Sequence, residues 1–121
     1  MSAGILDNYK MDFSENGDTL CCFFSGRLDG SVCSEIEPGL LCRVDNFKQN
    51  RPGIALVFDL AEVDYISSAF LRLCLIHCKS VGKNYFSVVN TSEEIHKVFH
   101  ISGFSEIMNV SQIPQVSHDL C

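Results

Sequence analysis

The sequence has little positive charge to offer a polyanion. Nine lysines and arginines stand against fifteen acidic residues, a formal net charge of −6, and no basic run or stripe occurs. Binding to nucleic acid or to an anionic membrane surface is therefore not expected. No apolar run reaches the length that crosses a bilayer. The opening Met1-Ser-Ala-Gly-Ile-Leu-Asp7 lacks the charged and apolar regions of a signal peptide, so a cytoplasmic location is expected. The seven cysteines (Cys21, Cys22, Cys33, Cys42, Cys74, Cys78 and Cys121) include no Cys-x-x-Cys pair and are odd in number. They read as reduced thiols, mostly small apolar core residues. Cys74, His77 and Cys78 fall together, but a closed zinc site needs four ligands and no second pair follows at usable spacing. His77, His96 and His100 have no partnered nucleophile, and nothing indicates an activated thiolate. With no acid–base pair, metal set or phosphate loop, neither enzymatic activity nor a metal or cofactor is expected. Internal repeats, linkers and low-complexity segments are also missing.

The chain does have enough apolar material for one core. It has 121 residues, 46% of them hydrophobic, which suits a single domain over residues 1–121 with its core at about 4–112. Gly4 to Phe13 is partly alternating and suits a first strand. Asn16-Gly17-Asp18 is a hairpin turn signal, and Thr19 to Ser25 should pair back antiparallel as the second strand. Gly26 to Gly30 is expected to be a loop. Ser31 is a plausible N-cap for an amphipathic segment in which Val32, Ile36, Leu40, Leu41, Val44 and Phe47 recur at helical spacing. Pro38-Gly39 is awkward there: the helix starts late, near Glu37, or is broken.

Gly53 to Phe58 is apolar and reads as a buried strand, and Asp59 to Asp64 as a short polar turn. Ser67-Ser68 then opens a helix to Val81, with Leu71, Cys74, Leu75 and Cys78 on one face and Gly82 as C-cap. Tyr85 to Val89 is a further strand. Ser92 caps a helix with Glu93 and Glu94 in its first turn. Ile107 to Val110 is a last short strand, and residues 113–121 form a loose tail. The order β-β-α-β-α-β-α-β predicts a small α/β sandwich: a mostly parallel mixed sheet with an N-terminal antiparallel hairpin, packed with helices.

The centre of interest is the strand–loop–helix stretch around Ser67 and Ser68. The first N–H groups of a helix lack intrahelical partners and carry partial positive charge. A hydroxyl there can cap the helix, or carry a phosphate that those donors stabilise. Asp29 either caps or turns its loop, or belongs to the same site. Arg72 is a solvated helix residue or a partner contact. Phe70 is core, or an exposed apolar anchor for a partner.

Three stretches resemble the STAS domain, in particular the small bacterial anti-sigma-factor antagonists. Phe24-Ser-Gly-Arg-Leu-Asp-Gly30 is similar to the motif that ends the family's second strand. Val57-Phe-Asp-Leu-Ala-Glu-Val-Asp-Tyr-Ile-Ser-Ser-Ala-Phe-Leu-Arg72 resembles the family's strand and serine signature. Val88 to Phe104 resembles its helix ending in Ser-Gly-Leu. The signature's Asp is Ser67 here and its Gly is Phe70. The resemblance implies a STAS-like fold and a partner-switching function. Such proteins bind a serine-protein-kinase anti-sigma factor when unphosphorylated and release it once the kinase phosphorylates the signature serine; a PP2C-type phosphatase reverses this. That serine falls on Ser68, with Asp29, Ser67, Phe70 and Arg72 expected at the partner contact of a monomer. The alternative is a constitutive STAS subunit of a transporter or stress-sensing complex, in which Ser68 is only a helix cap.

Overall fold

The structure is a computed structural model that describes residues 9–114. The predicted strand start at Gly4 and most of the predicted tail, residues 115–121, lie outside them. Five strands form one sheet in the order of the chain, β1-β2-β3-β4-β5. Strand β1 (Tyr9–Asn16) pairs antiparallel with β2 (Thr19–Leu28), with Asn16 opposite Thr19 across Gly17-Asp18. Gly17 takes φ +61°, a conformation the hairpin turn requires and glycine adopts without strain. Strands β3 (Ala55–Ile66), β4 (Phe86–Thr91) and β5 (Asn109–Gln112) follow in parallel. Between them lie α1 (Gly30–Lys48), α2 (Ser68–Val81) and α3 (Glu93–Ile101).

Each helical crossover steps the same way across the sheet, so right-handed connections put all three helices on one face. The burial pattern agrees. Leu20, Cys22 and Phe24 of β2, Leu56, Phe58 and Leu60 of β3, and Phe86 and Val88 of β4 are buried. The alternating residues Cys21, Phe23, Val57, Asp59, Ser87 and Val89 look the other way and keep partial exposure. Phe58 is central to the core. Its ring makes edge contacts with Phe24 and Phe86 at 5.0 Å each, and lies 6.1 Å from Phe70 and 5.8 Å from His77. The thiols of Cys22, Cys33, Cys74 and Cys78 are buried. Burial pushes each upward, Cys22 to about 12, so they pack as protonated, weakly polar groups.

Several boundaries differ from expectation. The segment Asp59–Asp64 is not a turn: β3 continues through it to Ile66, and β2 continues to Leu28 where a loop was expected. The two run paired to Leu28–Ile66, although β4 leaves β3 after Asp59. Val63 and Ile66 point inward while Glu62 and Asp64 are exposed, so the polar residues lie on the outer side of a projecting two-stranded ribbon. Helix α1 neither starts late nor breaks at Pro38-Gly39. An interior proline costs about 3 kcal/mol. Val32, Cys33 and Ile36 before it and Leu40, Val44 and Phe47 after it are all buried, and their shared packing carries the helix through. The cap of α1 is Asp29, not Ser31: its carboxylate accepts from the Val32 N–H at 2.9 Å. Ser92 caps α3 as expected, accepting from Ile95 N–H at 3.2 Å, and Gly82 ends α2 at φ +100° with its N–H on the Cys78 carbonyl at 2.8 Å.

Candidate functional site

The paired ends of β2 and β3 deliver the chain to the start of two helices at one place. Leu28 ends β2 and Asp29 caps α1; Ile66 ends β3 and Ser67 stands at the N-cap of α2. The Leu28 carbonyl ties the two together. It accepts the Ser67 backbone N–H at 3.0 Å and the Ser67 hydroxyl at 2.9 Å. The Cys33 thiol, on the first turn of α1, lies 3.8 Å from the same oxygen and 4.0 Å from Ser67 Oγ. Burial raises Cys33, opposed by the Ser67 hydrogen bond and by the charge of Arg72. The thiol therefore stays protonated and can donate.

The two serines thus have different situations. Ser67 holds the N-cap position with extended backbone (φ −107°, ψ 172°) but makes no side-chain cap bond. Its hydroxyl is committed to Leu28. Ser68 is the first residue of the helix, is exposed, and its hydroxyl has no hydrogen-bond partner among the described residues. The expected choice between a cap and a free hydroxyl falls, for Ser68, on the free hydroxyl. The Phe70 and Leu71 N–H groups both donate to the Ser67 carbonyl, at 3.0 and 3.2 Å. The N–H groups of Ser68 and Ala69 precede that first bonded turn, at the dipole's positive end.

Phe70 corrects an expectation. It is fully buried, with its ring 5.3 Å from Phe24 in an edge arrangement, and presents no surface for a partner. The buried face of α2 is wider than Leu71, Cys74 and Cys78: it takes in Phe70, Leu73 and His77, while Leu75 is only partly buried. A phenylalanine at this position therefore fills the space between α2 and the sheet. Arg72 is 62% exposed and sits 3.5 Å from Glu37 of α1. The charges of Asp29 and Glu37 raise the Cys33 thiol further and that of Arg72 opposes them. So Asp29 and Ser67 stand at adjoining helix starts tied through Leu28, Ser68 and Arg72 follow on the first turns of α2, and Phe70 lies in the core.

Three participants escaped the sequence reading. The Leu28 carbonyl is a backbone acceptor and leaves no mark in the sequence. Arg27 stacks on the Tyr65 ring at 3.9 Å and reaches Asp29 at 3.9 Å. Extending β3 through Asp64 would have placed Tyr65 directly opposite Arg27, as the register does. Glu37 had no signal, because its pairing depends on how α1 lies against α2. Beside this group a shallow cleft of about 290 Å³ is lined by Arg27, Asp29, Ser31 and Val32. A larger hollow, about 550 Å³, lies at the far end of the strands between Thr19, Ile54, Val81 and Tyr85, away from both serines.

The fold is that of a known domain family. The sequence matches the STAS domain over residues 12–116, and the chain belongs to that family. Among its relatives is BtrV of Bordetella bronchiseptica, assigned as an anti-sigma factor antagonist, 28% identical over 104 residues that cover 84% of this chain and 85% of BtrV. The anti-sigma-B factor antagonist of Listeria monocytogenes is 25% identical over 109 residues, 88% of this chain and 91% of that one. The crystal structure of an anti-sigma factor antagonist from Mycobacterium paratuberculosis superimposes with a TM-score of 0.74 at 21% identity, covering 94% of this chain and 92% of that one. A Shewanella loihica protein with a SpoIIAA-like fold superimposes at 0.57 with 15% identity, over 89% and 87% of the two chains. Among the described residues no helix is long and apolar enough to cross a membrane.

Proposed function

We propose that this chain is a non-enzymatic anti-sigma factor antagonist of the cytoplasm. It binds a serine-protein-kinase anti-sigma factor while Ser68 is unmodified, and phosphorylation of Ser68 releases it. The observation that carries this reading is the exposed, uncommitted hydroxyl of Ser68 on the first turn of α2, beside a Ser67 whose own hydroxyl is spent on Leu28. The functions assigned to its relatives in Bordetella and Listeria support the same class. In the kinase reaction Ser68 Oγ bonds to the γ-phosphorus of ATP, the bond to the ADP oxygen breaks, and the hydroxyl proton passes to a base on the kinase. A PP2C-type phosphatase returns the hydroxyl by hydrolysis.

The physics of release requires no change of fold. Phosphate adds up to two negative charges and several acceptors. A helix start tolerates that charge, so the domain stays intact. A partner fitted to a neutral hydroxyl meets charge beside Asp29, Glu37 and Asp64, and each 1.4 kcal/mol of lost complementarity is about tenfold in affinity. Among the described residues no hydrogen bond supports the reading in which Ser68 merely caps its helix.

The test is a pull-down from native lysate with wild type and Ser68→Glu, the bound proteins being identified. Retention of an ATP-binding serine kinase by wild type and its loss by Ser68→Glu is the expected result. Incubation with that kinase and ATP should then add one phosphate by intact mass, and none to Ser68→Ala. Equal retention of one partner by both forms would overturn the switch.

A further inference from the structure

We propose that Arg72 is the intramolecular partner of a phosphate on Ser68, and that the phosphate takes it from Glu37. The inference rests on phosphorylation of Ser68 as argued above and adds what the modification does inside the domain. Ser68 and Arg72 are four residues apart on α2, so they are neighbours on one helix face. Helical side chains lean toward the N-terminus, which carries the Arg72 guanidinium back over the first turn. Arg72 is largely exposed. Its contact with Glu37 is 3.5 Å, longer than a tight charge-assisted hydrogen bond, so little holds it there. A phosphate dianion carries more charge than a carboxylate and matches the guanidinium fork in two parallel hydrogen bonds.

The exchange gives the modification a second consequence. Before it, Arg72 links α2 to Glu37 of α1, outside the junction where Cys33, Ser67 and Leu28 meet. After it, Arg72 neutralises part of the phosphate and Glu37 is left as an uncompensated negative charge on α1. A partner resting across both helices would then lose a hydroxyl contact and an arginine together, and would face a bared carboxylate some distance from the phosphate.

Charged groups on the elements around this junction include Arg27 and Asp29 before α1, Glu35 and Glu37 on α1, Glu62 and Asp64 on β3, and Arg72 on α2, so the test isolates Arg72 from the rest. Phosphoserine is placed at position 68 by genetic code expansion, which makes the outcome independent of any kinase. The phosphate is titrated by ³¹P NMR in the full chain, in Arg72→Gln and in Glu37→Gln, with amide spectra confirming the fold. Arg72→Gln should weaken the second acid dissociation of the phosphate about twofold. Glu37→Gln, which frees Arg72, should strengthen it. The Arg72 side-chain Nε–H signal should also move between the unmodified and phosphorylated wild type, a readout that needs no variant. An unchanged titration in Arg72→Gln, or an Arg72 signal indifferent to the phosphate, overturns the proposal. Failure of the kinase experiment alone would sink the switch reading and leave this arrangement standing.

Discussion

Helices α2 and α3 both begin with a serine at the N-cap, and the two serines do opposite things. Ser92 turns its oxygen onto the Ile95 N–H at 3.2 Å and closes α3 from within. Ser67 turns its hydroxyl away from its own helix and donates to Leu28 at 2.9 Å. Helix α1 sides with α3, since Asp29 caps it through Val32. So two helix starts are sealed by their own side chains, while the start carrying Ser68 is fastened to a neighbouring strand and left open. A cap stabilises one helix. The Ser67 bond instead fixes where α2 begins relative to β2 and α1, and it leaves the first-turn donors for something else. Position, more than helix stability, is what that serine supplies.

The comparison can be tested by removing its parts. The largest effect is expected from Phe70→Ala, which empties the space beneath the open end of α2 and should cost about 3–5 kcal/mol in urea unfolding. A small loss would mean that Phe70 does not support the site. Ser67→Ala should cost about 1 kcal/mol by removing the bond to Leu28, and Ser92→Ala about the same by removing a cap. The distinction lies elsewhere: amide exchange in Ser67→Ala should quicken at the α1 and α2 starts together, and in Ser92→Ala only at α3. Loosening confined to α2 would reduce Ser67 to an ordinary helix-end residue.

A second contrast concerns acid. On α2 the ring of His77 is only 2% exposed, and its Nδ1 finds no partner among the described residues. The histidines of α3, His96 and His100, are half-buried and exposed. Burial lowers His77 below its usual 6.5, with Lys48 adding to this and Asp45 and Glu37 opposing it. The folded protein therefore binds this proton less readily than the unfolded chain. The contribution of neutral His77 is intact above about pH 6.5 and is lost progressively as pH falls below it. His77→Leu should flatten the slope of stability between pH 7 and 5, measured by urea unfolding at each pH; an unchanged slope would assign it to other groups. The smallest effect is expected from Ser68→Ala, whose stability should lie within about 0.5 kcal/mol of wild type. A loss matching Ser92→Ala would show that Ser68 is a cap after all.

Much of this was legible beforehand, for physical reasons. Asn16-Gly17-Asp18 demanded a tight turn, Ser92 with Glu93 and Glu94 announced a helix start, and Ser68 to Val81 had both its periodicity and a terminal glycine. Those signals are local, and nothing distant opposed them. Asp59 to Asp64 misled because its charges resemble a turn, whereas register with Ser25–Leu28 keeps it extended and turns Glu62 and Asp64 to solvent. Pro38 misled because an intrinsic penalty was outweighed by an apolar stripe on both sides of it. At the site, Ser68 could be picked out, but not which serine was free, since that was decided by a backbone carbonyl 39 residues earlier. The location of Phe70 likewise depended on how much of α2 the sheet covers.

The order of strands has a kinetic consequence. Since the sheet follows the chain, each strand pairs with the one made just before it, and no strand must wait for a partner from the far end of the sequence. Loop closures are then limited to single helical crossovers, which lowers the entropy lost before contacts form. The hairpin of β1 and β2 can serve as a template edge. Each later helix–strand unit can add to it in the order in which synthesis delivers them.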